Sequence, residues 1–169
     1  QSNLPFYYVQ IAPFYHEKED PTLAFDAFFR EAQEKVGELN NTEMVSTIDV
    51  GEVKDLHPKN KRPIGLRLAA VALNRSYGHL RESYQGPIYS YAVFDKKKVV
   101  VHFRPETVGG GLVTNDGKPA KFFFLAGADQ VFYPADAEIR NDSIVVTSKS
   151  VKKPVAVRYA FFNYPVTNL

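Results

Sequence analysis

Hydrophobic and polar positions divide the chain into two parts with different periodicities. The first part predicts two strands and two helices, over residues 5–12, 21–39, 44–50 and 61–77. The first helix is expected to begin at Asp20-Pro21, an N-cap aspartate followed by proline at the first helical position. Its apolar residues recur at helical spacing: Phe25, Phe28, Phe29, Ala32, Val36 and Leu39. A helix between two strands favours parallel pairing with a right-handed crossover.

The helical period disappears near residue 86. Short apolar runs separated by turn residues then follow, at 88–94, 99–103, 121–125, 143–147 and 155–162. Strands at this density are typical of an antiparallel sandwich or barrel. The chain is therefore expected to contain an α/β domain over residues 1–85 and a β-sandwich-like domain over residues 86–169.

Composition narrows the class of protein. Hydrophobic residues make up 44% and aromatic residues 14% of the 169 residues, enough to fill a core. The formal net charge is +2 with both signs mixed along the chain, which argues against a nucleic-acid partner. The absence of cysteine excludes disulfides, thiolate zinc sites and cysteine nucleophiles. No apolar run approaches the ~18 residues of a membrane span, so no membrane partner is expected.

One loop combines residues that suggest catalysis. The second predicted strand ends at Asp49 and Gly51, and the loop that follows carries Asp55, His57 and Pro58. Catalytic groups in open parallel sheets gather beyond the carboxyl ends of the strands. Asp55 could orient one ring nitrogen of His57 and leave the other as a general base, which is the histidine–acid half of a serine-hydrolase triad. The competing interpretation is a turn histidine without chemical function.

Several segments in order resemble the sialate O-acetylesterase family of SGNH hydrolases. In the first part they are Leu4–Pro13, Arg30–Gln33, Asp49–Gly51, Leu56–Lys61, Arg67-Leu68 and Tyr77-Gly78. In the second part they are Phe124–Asp129, Phe132–Ala137 and Pro154–Ala160. The resemblance covers nearly the whole chain. It implies the C-terminal portion of an SGNH domain, with a flavodoxin-like parallel sheet, followed by an all-β sandwich-like region.

The resemblance also implies a role for His57, which matches the catalytic histidine of the family. Many SGNH hydrolases place the acid three residues before the histidine, where this chain has Lys54, which cannot serve. The orienting group is therefore Asp55, Asp49 or a backbone carbonyl, or the enzyme works as a serine–histidine dyad.

The family's nucleophilic serine lies in a Gly-x-Ser motif upstream of every segment that matches here, and Ser2 is not assigned to that role. The resemblance therefore implies an enzyme part that is inactive alone and needs the remaining N-terminal part of the same protein, or a second copy, as partner. It implies an O-acetylated carbohydrate substrate, with O-acetylated sialic acid expected and an acetylated plant glycan as the alternative, and no metal or organic cofactor. The implied location is periplasmic or secreted.

An alternative from a different class is a non-catalytic β-sandwich accessory or carbohydrate-binding module attached to a vestigial α/β piece. Tyr89, Tyr91 and Tyr133 in the β-rich part could stack on sugar rings, although core packing is the commoner fate of tyrosine in sandwiches.

Overall fold

A computed structural model describes residues 4–14, 24–52, 54–79, 84–165 and 167–169. The described residues form two compact units. The first lies within residues 4–84 and also contains the late segment 161–165, and the second contains residues 85–160 and 167–169. Segment 161–165 thus belongs with the α/β residues, although its place in the sequence puts it in the β-rich part. The division into domains at residue 85 stays a prediction.

The first unit contains two strands and two helices in the predicted order. They are β1 (Phe6–Val9), α1 (Phe25–Val36), β2 (Thr42–Val45) and α2 (Arg62–Arg75). The two strands pair in parallel, with Phe6 opposite Thr42 and Val9 opposite Val45. This is the pairing that the strand–helix–strand order favours.

The predicted bounds of β2 are wrong at the carboxyl end. The expected strand over 44–50 stops at Val45. The hydroxyl of Thr47 donates to the Gln10 carbonyl at 2.9 Å, and the Val50 amide bonds back to the Thr47 carbonyl at 3.0 Å. These bonds bend the chain out of the strand, so that Asp49 lies in a turn and not in the sheet.

Helix α1 is also shorter than predicted. It ends at Val36 with Gly37 as the C-cap residue, and the Thr42 hydroxyl contacts the carbonyls of Val36 and Leu39 at 2.8 Å each beyond that end. Its predicted start at Asp20-Pro21 lies outside the described residues.

The two helices contact opposite faces of the small sheet. Tyr8 donates its hydroxyl to the Gln33 carbonyl of α1 at 2.6 Å. The hydroxyls of Tyr7 and of Ser76, which follows α2, lie 2.7 Å apart. Since neighbouring residues of a strand point to opposite faces, α1 covers one face and α2 the other. Helices on both faces are typical of doubly wound α/β sheets.

The apolar stripe of α1 is not its buried side. Phe25, Phe28 and Phe29 are each more than half exposed, whereas the buried residues of the helix are Ala27 and Arg30. Helical periodicity therefore identifies the helix correctly but does not identify the side that packs on this unit.

Arg30 holds segment 161–165 against α1. The side chain is buried, at 5% exposure, and its guanidinium donates to the carbonyls of Phe162 at 2.6 Å and Asn163 at 3.2 Å. The Asn163 side chain in turn accepts the amide of Asp26, in the first turn of α1, at 3.0 Å. Phe161 adds an edge-to-face contact with Phe28, with ring centroids 5.0 Å apart. Charged hydrogen bonds that satisfy buried carbonyls are among the stronger ones in proteins.

The second unit is built on one six-stranded antiparallel sheet in its described residues. Its elements are β3 (Tyr89–Asp95), β4 (Lys98–Phe103), α3 (Pro105–Val108), β5 (Ala120–Ala126), β6 (Phe132–Arg140), β7 (Ser143–Thr147) and β8 (Ala156–Tyr159). The strand order is β3-β4-β7-β6-β5-β8. The β-rich character and the antiparallel pairing agree with the sequence pattern, whereas two stacked sheets are not formed by these residues.

The sheet is curled, so that its own inner face encloses the hydrophobic core and no second sheet is required to cover it. Register shifts occur in β3 between Tyr89 and Tyr91 and in β5 between Ala120 and Phe123. Bulges of this kind bend strands and increase their twist. The core residues of the inner face are joined by residues outside the strands: Val108, Leu112 and Val151.

Asn168 fastens the end of the chain to the second unit. The residue is buried, and its carbonyl accepts the Asn115 amide at 2.8 Å. Its side chain accepts the Lys121 amide at 3.0 Å and donates to Asp116 Oδ1 at 2.8 Å. The ammonium of Lys121 lies 2.9 Å from Asp116 Oδ2. Hydrogen bonds from Asn168 and then from Lys121 lower the pKa of the Asp116 carboxyl well below its ordinary value.

We predict that Arg30→Met destabilises the protein by about 2–4 kcal/mol, because two buried carbonyls lose a charged donor. Urea unfolding followed by circular dichroism measures the change. Lys35→Ala, an exposed site on the same helix, is the control and should stay within about 0.5 kcal/mol of the wild type. Equal stabilities of the two variants would contradict a structural role for Arg30.

A second prediction concerns the loss of stability at acidic pH. Because the folded-state pKa of Asp116 is lowered from its ordinary 3.8, the ionised group stabilises the folded unit above that pH. The contribution is lost as pH falls below that value. Asp116→Asn should therefore lose less stability than the wild type between neutral pH and pH about 3 in urea unfolding. Identical acid sensitivity of both proteins would show that the carboxylate contributes nothing.

Candidate functional site

The loop that carries His57 begins at the carboxyl ends of both strands. Gln10, just after β1, accepts the Thr47 hydroxyl with its carbonyl and the Ser46 hydroxyl with its side chain, at 2.9 and 3.1 Å. The chain then turns through Asp49 and Gly51 towards the loop. The position beyond the strand ends is the one that the sequence predicted for catalytic groups in a parallel sheet.

A bidentate ion pair between Asp49 and Arg67 connects the start of the loop to helix α2. Arg67 donates to Asp49 Oδ1 at 2.8 Å and to Asp49 Oδ2 at 2.6 Å, and also to the Ser46 carbonyl at 2.8 Å. Burial would raise the pKa of Asp49, but the hydrogen bonds and charge of Arg67 outweigh it and lower the pKa. Both oxygens of Asp49 are therefore engaged by a guanidinium.

The loop itself is shaped by side chains that accept backbone amides. Asp55 donates its amide to the Glu52 carbonyl at 3.4 Å, and Asp55 Oδ1 accepts the His57 amide at 2.8 Å. Glu52 Oε1 accepts the Lys59 amide at 2.5 Å. Asn60 accepts the Arg62 amide at 3.2 Å where α2 begins. Asp and Asn side chains commonly stabilise turns in this way.

The two candidate catalytic residues, Asp55 and His57, lie side by side. His57 Nδ1 is 3.7 Å from Asp55 Oδ1, which is longer than a hydrogen bond. The His57 side chain is 84% exposed and that of Asp55 44% exposed. Pro58, immediately after the histidine, is buried and anchors the backbone. The imidazole thus projects into solvent, while the backbone amides of His57 and Lys59 are accepted by Asp55 and Glu52.

A shallow depression lies at the base of the loop. It is lined by Pro13, Ile48, Asp49, Gly51, Tyr164 and Pro165. Gly51 is pressed against Pro13: a Cβ at Gly51 would lie 2.5 Å from the Pro13 carbonyl oxygen. Burial, and then the charge of Glu52, raise the pKa of the Tyr164 hydroxyl. Segment 161–165 therefore forms part of the wall of the site.

Sequence reasoning did not assign a role to Glu52, Arg67 or Tyr164. Arg67 stands in a segment that resembles the esterase family, and that segment was the available signal for it. Tyr164 carries no local signal, because it reaches the site only through folding. Glu52 lies close in sequence to its partner Lys59, but no local pattern marks that contact.

Among the described residues, no group of three or more histidine, aspartate or glutamate side chains is arranged to hold a metal ion. No helix in the described part of the chain is long and apolar enough to cross a membrane. Ser2, the serine left unassigned above, lies outside the described residues.

Comparisons with known proteins give an informative match, to a carbohydrate acetylesterase. No family model matches this sequence, and a search of curated proteins finds no match. A crystal structure of a carbohydrate acetylesterase from Xanthomonas citri does match, at 38% sequence identity and a TM-score of 0.89. The match covers 98% of this chain and 38% of that chain. The chain therefore has the fold of the corresponding part of a carbohydrate acetylesterase, and it spans 38% of that protein's length.

We predict opposite effects for two glycine substitutions. Gly51→Ala should destabilise the protein by about 1–3 kcal/mol, because the new methyl group overlaps Pro13 backbone. Gly65→Ala, within α2, meets no described atom within 4 Å and should stabilise by about 0.5–1 kcal/mol through helix propensity. Urea unfolding of both variants is the measurement. A neutral Gly51→Ala would show that the loop base is not tightly packed.

Proposed function

We propose that this chain is the histidine-bearing part of a serine esterase that removes O-acetyl groups from carbohydrate. The observation that carries the proposal is the 38% identity to a carbohydrate acetylesterase over 98% of this chain, a range that includes the His57 loop. Support for an SGNH-type domain comes from the parallel pair β1–β2, from helices on both faces and from a histidine loop at the carboxyl ends of the strands.

His57 is the general base in this proposal. A serine hydroxyl from the rest of the protein attacks the acetyl carbonyl while His57 takes its proton. The imidazolium then returns the proton to the leaving sugar oxygen, which frees the sugar and leaves an acetyl-serine. Water, deprotonated by the same imidazole, cleaves the acetyl-serine to acetate and restores the serine.

Asp55 is the proposed orienting acid. Asp49, the other acid that the sequence offered for this role, has both oxygens on Arg67 and is already neutralised. Asp55 accepts the His57 amide at 2.8 Å and lies 3.7 Å from Nδ1 of the same residue. Catalytic hydrogen bonds are often long in the absence of substrate and tighten in the complex.

The proposed partner is the remaining part of the same protein, with a second copy as the alternative. Strand β1 pairs only with β2 among the described residues, and two-stranded parallel sheets rarely stand alone. Phe6 on β1 is 60% exposed, and Leu66 and Tyr77 on the α2 side are also exposed. Further parallel strands beside β1 would bury these side chains and bring the serine to His57.

The proposed substrate is an acetylated sugar, with O-acetylated sialic acid as the specific candidate, and the proposed location is periplasmic or secreted. These finer assignments are supported by the family resemblance of the sequence alone. A second function, carbohydrate binding by the β-rich unit, is favoured by two tyrosines of β3: Tyr89 is 56% and Tyr91 53% exposed. Tyr133 instead packs against the core.

We predict that His57→Ala in the full-length protein lowers kcat for an acetylated sugar about 10³-fold or more, with little change in stability. Acetate release measures kcat. His79→Ala, an exposed histidine of the same unit, is the control and should leave kcat unchanged. Near-normal kcat in a folded His57→Ala protein would end the esterase assignment of this loop.

The same assay separates the candidates for the orienting group. Asp55→Asn retains an oxygen for the His57 amide but removes the charge beside the ring. If Asp55 orients the imidazole, the loss should approach that of His57→Ala. A loss below about tenfold, near 1.4 kcal/mol of barrier, would assign the orientation to a backbone carbonyl instead.

A further inference from the structure

The His57 loop is closed by one side chain. Glu52 lies before the histidine and Lys59 after it, and the Glu52 carboxylate accepts the Lys59 amide at 2.5 Å. The Glu52 backbone carbonyl also receives the Asp55 amide, at 3.4 Å. Glu52 therefore contacts a residue before His57 and a residue after it. The Asp55 side chain, by contrast, accepts only the amide of His57 itself.

Segment 161–165 lines the depression beside Gly51, at the start of the same loop. The Tyr164 hydroxyl is near enough to the charge of Glu52 for that charge, after burial, to raise the pKa of the tyrosine. Tyr164 and Pro165 line the depression next to Gly51, the residue before Glu52. The buried carbonyl contacts of Arg30 hold this segment in place. Glu52 follows a residue that lines this depression, and it is only partly exposed.

We propose that Glu52 is a positioning residue for His57, and that it acts as a hydrogen-bond acceptor for the Lys59 amide rather than as a charge. The inference rests on the proposed esterase function of the loop. An imidazole that is 84% exposed has few side-chain contacts to fix its place, so the backbone of the loop must supply that order. Misplacement of a catalytic group by about 1 Å costs up to about 10²-fold in rate.

The test compares Glu52→Ala with Glu52→Gln in the full-length protein. Glutamine keeps an oxygen that accepts the Lys59 amide, and alanine does not. Glu38→Ala, an exposed glutamate in the same unit, is the control. The measurements are kcat and KM for 4-nitrophenyl acetate, hydrogen exchange of the Lys59 amide, and urea unfolding to verify the fold.

We expect Glu52→Ala to lower kcat about 10–100-fold with KM within about threefold, and to speed exchange of the Lys59 amide about tenfold or more. Glu52→Gln should restore kcat to within about fivefold of the wild type and restore slow exchange. Glu38→Ala should change neither quantity.

Two results would overturn the inference while the esterase function stands. One is an active Glu52→Ala protein with wild-type kcat. The other is a Glu52→Gln protein as impaired as Glu52→Ala, which would show that the charge matters. A wild-type full-length protein without esterase activity would instead refute the proposed function, and with it any catalytic role for Glu52.

Discussion

The buried guanidinium of Arg30 is the contact on which the arrangement of the first unit depends. It joins α1 to a segment more than 130 residues later in the chain, through the carbonyls of Phe162 and Asn163. Buried carbonyls need hydrogen-bond donors, and Arg30 supplies one to each of these two, which holds the segment beside α1. Because Tyr164 and Pro165 follow directly, the same contact determines one wall of the His57 loop.

The loop shows how a long connection keeps one shape without a strand or helix. Its amides are accepted by the side chains of Glu52, Asp55 and Asn60, and its start is pinned by Arg67. Each bond alone contributes only about 1–3 kcal/mol, but bonds that share a short segment restrict the same few dihedral angles. This explains how the His57 imidazole is presented to solvent from a firm backbone.

Local patterns predicted the elements of the first unit, the parallel pairing of β1 with β2, the loop with Asp55 and His57, and the β-rich second part with five of its six described strands. The strand β6 and the short helix α3 were not among the predicted elements. They failed where contacts with residues distant in sequence determine the end of a strand or the buried side of a helix. β2 stops early because Thr47 bonds to Gln10, and α1 buries Arg30 while its phenylalanines stay exposed. Tyr164 was missed for the same reason, since periodicity carries no information about contacts between residues far apart in sequence. Glu52 was missed although its partner Lys59 is only seven residues away, because the contact lies in an irregular loop without a periodic pattern.

The return of segment 161–165 has a consequence for synthesis. A ribosome delivers residues in order, and domains generally fold as their residues emerge. The first unit must wait, since Arg30 finds its carbonyl partners only after nearly all of the second unit has been translated. Until then, a charged side chain destined for the interior stays hydrated. Completion of the histidine-bearing unit is thereby coupled to the synthesis of segment 161–165, and a nascent chain stalled in the β-rich part would carry an unfinished site.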